Sequence, residues 1–191
     1  MKTLPPFFDD NTKKNKYEQL VDFWLSWTLR CAEFNYKDLN SKVFQYASMI
    51  LSYFVTKKQN LLFLDDKKVL EVNCWKYESM QNGQGDLRFE IVIENGKKYA
   101  LIFENKVYGK VQNGQLENYR EHYDNYYKDK DFEVIYFLYR QFDEAEADLL
   151  HCSKNDFVCV SFYDIRDLIE AKELGLTGND LFDEFWFRSK W

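Results

Sequence analysis

The densest set of reactive side chains lies in residues 86–106, DLRFEIVIENGKKYALIFENK. Glu104, Asn105 and Lys106 close this stretch, with the acid and the lysine two positions apart. On a β-strand that spacing puts both on one face. Asp86, Arg88 and Glu90 alternate with Leu87, Phe89 and Ile91 in the same way. Carboxylates and a lysine on one strand face suit hydrolysis of a phosphodiester. Mg²⁺ takes hard oxygen ligands in near-octahedral geometry and keeps several waters. Such a water loses its proton readily and becomes the attacking group. The lysine can orient or deprotonate it, or neutralise the charge that develops. On spacing alone the same residues also suit a solvated strand face.

The two polar sets share a face only if the loop around Asn95-Gly96, a hairpin signal, holds an odd number of residues. A strict two-residue turn would set Glu104 opposite Leu87 and split the set. A three-residue or bulged turn is expected here, because it also unites Phe89, Ile91, Ile93, Leu101 and Phe103 on one apolar face. The acid on the first strand is Glu90 or Asp86; Asp86 follows a Gly-containing loop and opens the strand.

The stretch from Arg88 to Tyr119, RFEIVIENGKKYALIFENKVYGKVQNGQLENY, resembles the core of PD-(D/E)XK superfamily nucleases. It is similar to bacterial members with R-x-(D/E), then a strand ending ENK, then a helix beginning QLxxY. The resemblance implies a restriction-endonuclease-like fold and a nuclease dependent on Mg²⁺ or Mn²⁺. It implies that Glu104 binds the metal, that Lys106 assists the water and that Asn105 offers a backbone carbonyl. Arg88-Phe89-Glu90 matches R-x-(D/E), which makes Glu90 the preferred second ligand, with Asp86 its rival. Gln115 would support the site or contact phosphate, with Tyr119 one turn on. Many members carry a glutamate on the first helix; Glu18 is the choice and Asp22 the competitor, because both lie on the stripe that faces the core. Arg88, Lys110 and Tyr119 would meet the substrate, DNA in preference to RNA. A non-catalytic binding module on the same fold is the alternative.

Helices and strands must hold these residues. Val21, Leu25 and Leu29, widened by Phe23 and Trp24, predict a helix over Tyr17–Cys31. A second follows from about Ser41 to Val55, capped by Asn40-Ser41. Strands are expected at Val69–Tyr77, Asp86–Glu94 and Lys98–Lys106, with a loop at residues 81–85. Gln115–Tyr127 reads as a helix with Leu116, Tyr119, Tyr123 and Tyr126 on one face. The apolar run Phe132–Tyr139 reads as a strand buried on both faces. Another strand at Phe157–Phe162 and helices at Asp164–Leu174 and Asp180–Trp191 complete an α/β domain over residues 1–191. Its mixed sheet is a meander joined to a strand–helix–strand step.

Composition fits this reading. With 46% hydrophobic and 30% charged residues, the chain is globular. The net charge of −6 excludes a protein that tracks nucleic acid with its whole surface. A local positive groove suffices for a nuclease. Cys31, Cys74, Cys152 and Cys159 lack CxxC spacing and read as reduced thiols. His122 and His151 have no zinc-site spacing. No apolar run approaches a membrane span and the first residues form no signal segment, so the expected location is the cytoplasm. Asp143, Glu144, Glu146 and Asp148 read as a solvated acidic helix face. Phe182, Phe185, Trp186 and Trp191 are expected to pack back on the domain; the alternative is a homodimer contact.

Overall fold

The computed structural model describes residues 17–76, 86–141 and 146–188. Its centre is a five-stranded sheet in the order β1 (Val69–Lys76), β2 (Leu87–Ile93), β3 (Lys98–Lys106), β4 (Glu133–Arg140) and β5 (Phe157–Ser161). The β1–β2 and β2–β3 pairs are antiparallel, while β3–β4 and β4–β5 are parallel. This is the mixed sheet that the sequence pattern predicts, with helix α3 (Gln115–Tyr127) linking the parallel strands β3 and β4. It is the α/β architecture that the resemblance implies.

Helices cover both faces. On one side α1 (Tyr17–Arg30), α2 (Ser41–Val55) and α5 (Phe162–Ala171) bury Val21, Leu25, Ile50, Phe54 and Ile165 against Phe89, Leu101, Phe103 and Phe137. Phe54 is the hub, standing edge-on to Phe103 and Phe137 at 5.1 and 5.0 Å. On the other side α3 and α4 (Glu146–Asn155) cover Ala100, Ile102, Tyr136 and Leu138. Strand β3 is therefore paired along both edges and packed on both faces. Its burial is unbroken between Lys98 and Lys106 for that reason, whereas β2 alternates.

Local chemistry sets the helix ends. Asn40 Oδ1 accepts a hydrogen bond from the Val43 N–H and opens α2. Ser161 and Asp164 form a reciprocal capping box. The box starts α5 at Phe162 rather than at the expected Asp164. The aromatic C-terminal segment, α6 (Asp180–Asp183) and a π-turn over Glu184–Arg188, packs back on the core. Trp186 stacks on Phe162 at 5.5 Å, and its Nε1–H donates to Thr28 Oγ1 at 3.0 Å. Trp191, the expected loop at residues 81–85, Asp143 and Glu144 lie outside the described residues.

Three expectations need correction. Phe23 is 66% exposed, because it lies two residues from Val21 and Leu25 and so points away from their stripe. On α3 the buried tyrosines are Tyr119, Tyr123 and Tyr127, spaced by four, and Tyr126 is exposed. Asp148 is buried rather than solvated, because Arg140 Nε lies 3.4 Å from its carboxylate. All four cysteines are free thiols, and burial pushes Cys31 up to about 11.

Phe103→Ala should cost about 3–5 kcal/mol, the usual loss for a buried aromatic, whereas Phe23→Ala should cost under ~1 kcal/mol. Urea unfolding of both variants measures the difference.

Candidate active site

The hairpin loop consists of Glu94, Asn95 and Gly96. The Ile93 N–H bonds the Lys97 carbonyl at 3.0 Å, and the Gly96 N–H bonds the Ile93 carbonyl at 2.9 Å. Gly96 takes φ +82°, a conformation in which a side chain would be strained. The odd count aligns Leu87 with Phe103, Arg88 with Ile102 and Glu90 with Ala100. One step beyond the Leu87–Phe103 pair, Asp86 stands across from Glu104, and the Asp86 N–H bonds the Phe103 carbonyl at 2.9 Å.

A cluster of charges forms at this end of the sheet. Glu104 is 2% exposed and ion-pairs with Lys106. Gln115 Nε2 donates to Glu104 Oε1 at 2.6 Å and reaches the Tyr119 hydroxyl at 2.8 Å. Gln115 is itself held, its Oε1 accepting from the Gln112 N–H at 3.1 Å. Asp86 Oδ2 accepts from the Asn105 N–H at 2.7 Å. Helix α1 adds two more acids. Asp22 Oδ1 accepts from Asn105 Nδ2 at 2.5 Å, and Glu18 Oε1 accepts from the Val107 N–H at 3.4 Å. The four-residue step between them puts both on the α1 face that meets this sheet end. The Arg140 guanidinium donates to the Gly109 carbonyl at 2.7 Å and pins the loop after Lys106. A Cβ built on Gly109 would touch Lys106 Cδ at 3.4 Å, so this glycine lets the loop pass close to the lysine.

The electrostatics follow from burial. Desolvation, and next the charge of Glu104, pushes Asp86 up to about 7. Desolvation also raises Glu104, against the opposing pull of Lys106, Tyr119 and Gln115. Burial works to lower Lys106, but Glu104, Asp86 and Glu18 outweigh it and hold the ammonium above its usual value. Lys106 is therefore a cation here.

These residues fit a hard divalent cation. Every donor is an oxygen, Asp86 carries a raised pKa beside Glu104, and Asn105 Oδ1 is buried without a hydrogen-bond partner among the described residues. Among the described residues no three His, Cys, Asp or Glu side chains come together as a metal-holding group. Asp86 and Glu104 supply two acids, and Mg²⁺ is commonly held by one or two carboxylates with water completing the shell.

Of the residues named from sequence, Glu104, Asn105, Lys106, Asp86, Glu18, Gln115 and Tyr119 meet at this end of the sheet. Glu90 shares their face but lies four residues, ~14 Å, further along β2 than Asp86. It accepts instead from the Tyr127 hydroxyl at 2.8 Å. Arg88 lies between the two acids, against Trp75 and Tyr126. Lys110 is exposed in the loop after β3. Asp22, the competitor of Glu18, is the more buried of the two. Trp75 also reaches this face; the only signal for it in the sequence is its two-residue spacing from Asn73 on β1, which puts both on one face.

A buried acid whose folded pKa is raised opposes folding once it must ionise. Asp86 binds a proton more tightly in the folded state, so native stability should fall as pH rises from about 4 through about 7. Asp86→Asn should remove that loss. In chelator at pH 8 the variant should be more stable than the native chain by on the order of 1–3 kcal/mol, and the gain should vanish near pH 4. Denaturant titrations at several pH values measure it.

No match was found among curated proteins or among solved structures. Among the described residues no helix is long and apolar enough to cross a membrane. A family model described as the PD-(D/E)XK nuclease superfamily matches residues 10–180, most of the chain and all of the sheet. The fold, the strand-borne acids with their lysine, and this match agree, and the chain belongs to the PD-(D/E)XK nuclease superfamily.

Proposed function

We propose that this chain is a metal-dependent nuclease that hydrolyses phosphodiester bonds, with DNA as its substrate and Mg²⁺ or Mn²⁺ as its cofactor. The observation that carries this reading is the β2–β3 register, which sets Asp86 across from Glu104 with Lys106 beside it. The same register favours Asp86 over Glu90 as the second acid. In this reading Asp86, Glu104 and an oxygen of Asn105 hold the metal, and Glu18 and Asp22 add negative charge from α1. A bound divalent ion supplies a Lewis acid that eases deprotonation of water and offsets phosphate charge.

The side chains divide the remaining work. As an ammonium, Lys106 orients the attacking water and balances charge on the phosphate. Gln115 keeps the Glu104 carboxylate in place, and Tyr119 steadies Gln115. Lys110 offers an exposed cation to the substrate backbone.

A second reading, a non-catalytic module on the same fold, draws on the lack of a three-acid group among the described residues and on the net charge of −6. Supercoiled plasmid and linear single-stranded DNA, each incubated with Mg²⁺ or Mn²⁺, separate the two. The native chain should cut, Lys106→Ala should lose ~100-fold or more, and Asp86→Asn should lose both cutting and metal-induced thermal stabilisation. Cutting that survives Lys106→Ala would remove the assignment. Absence of both cutting and metal stabilisation in the native chain would favour the inactive module.

A further inference from the structure

Next to the acids, on the same face of the sheet, cations and aromatic rings form a row. Arg88 follows Asp86 by two residues, about 7 Å along the strand. Its guanidinium carbon lies 4.3 Å from the ring centroid of Trp75, its partner across the β1–β2 pair. It lies 5.0 Å from the ring of Tyr126 on α3. The Lys130 ammonium stands 3.1 Å over the Tyr126 ring, and the His122 ring runs within 16° of parallel to it. These groups reach the surface: Trp75 is 40% exposed and Tyr126 39%. Arg88 Nε is buried without a hydrogen-bond partner among the described residues. The row borders the core without belonging to it: Tyr126 stands edge-on to Tyr127 at 4.8 Å and His122 edge-on to Tyr123 at 4.8 Å. The tyrosines of α3 that pack on the sheet are Tyr119, Tyr123 and Tyr127.

We propose that this row is a subsite for an unpaired nucleobase of the substrate strand, with the Trp75 ring face opposite Arg88 as the stacking surface and Arg88 and Lys130 as cations beside it for the strand's phosphates. The inference rests on the nuclease reading and adds to it a substrate class, nucleic acid with unpaired bases beside the cut. Three features lead there. Every base has a π-face, so an exposed indole holds bases of any sequence. A guanidinium stacked on rings keeps its edge available for hydrogen bonds while its position is fixed. Trp75 lies one strand over and two residues along from Asp86, an in-plane separation of about 8 Å. Neighbouring nucleotides of one strand can span that gap. A base inside an intact duplex is stacked on its neighbours and cannot also lie flat on Trp75, so the subsite selects single strands or frayed ends.

The test compares the native 191-residue chain with Trp75→Ala and Trp75→Phe. The probes are a short labelled oligothymidine, the same backbone carrying abasic sites, and a blunt duplex of equal length. Binding is read by anisotropy in Ca²⁺, and the Mn²⁺-induced rise in Tm is recorded for each protein. The native chain should bind oligothymidine ~5-fold or more tightly than the abasic strand, and more tightly than the duplex. Trp75→Ala should bind oligothymidine and the abasic strand alike, Trp75→Phe should keep most of the preference, and all three should keep the Mn²⁺ response. A preference for bases that persists in Trp75→Ala overturns the subsite. So does a native chain that does not distinguish the two strands, that prefers duplex, or that binds no oligonucleotide. Failure of the nuclease reading shows separately, as a native chain without Mn²⁺ response or cutting.

Discussion

The number of residues between β2 and β3 is the constraint on which the rest depends. Side chains alternate along a strand, so a loop longer or shorter by one residue would turn every residue of one strand to the other face. With Glu94, Asn95 and Gly96 in the loop, Phe89 and Ile91 share a face with Leu101 and Phe103, and Asp86 shares the opposite face with Glu104. One parity makes both the core and the acid pair. A slip that separated the acids would also pull the phenylalanines from under Phe54, and the cost of exposing them protects the site.

Placing Glu104 near the end of the central strand has its own cost. A carboxylate with almost no exposure must be paired, and Lys106, Gln115 and Tyr119 provide the partners. Asp86 and Asp22 crowd the same region with negative charge. The cluster is thus less favourable by itself than an apolar strand end would be. A bound cation is the natural compensation, and local disagreement of this kind is expected where a fold carries chemistry. The surroundings hold the cluster in place: Arg140 ties down Gly109 after Lys106, and the Gln112–Gln115 bond sets the start of α3.

Helix α3 serves two purposes at once. Its tyrosines spaced by four fill the second face of the sheet, and its first turn supplies Gln115 to the acids. Tyr126, one position off that spacing, is left at the surface against Arg88. Burial and display are thus separated by a single step of helical rotation. The protein carries net negative charge, yet Arg88 on β2, Lys110 in the loop after β3 and Lys130 in the turn after α3 gather on the side of the sheet that bears the acids. Local charge rather than the total governs what approaches there.

Short-range pattern in the sequence is enough to specify several of the elements. The stripe of Val21, Leu25 and Leu29, the cap at Asn40, the Asn95-Gly96 turn and the apolar run of β4 each declare a local preference within a few residues. The Glu104–Lys106 spacing fixes that the two share a strand face in the same way. Other features depend on partners distant in the chain and follow only from packing. Asp86 rather than Glu90 stands across from Glu104, because cross-strand position depends on register and not on distance from the motif. Asp22 and Glu18 both reach the sheet end, because the packing of α1 on the sheet brings two turns of one helix there. Asp148 is buried by Arg140 although its neighbours in sequence suggest a solvated face, and Trp75 meets Arg88 only through the β1–β2 pairing. Periodicity encodes which face a residue takes; which residue it meets there is set by how helices and strands pack, through contacts that no short stretch of sequence contains.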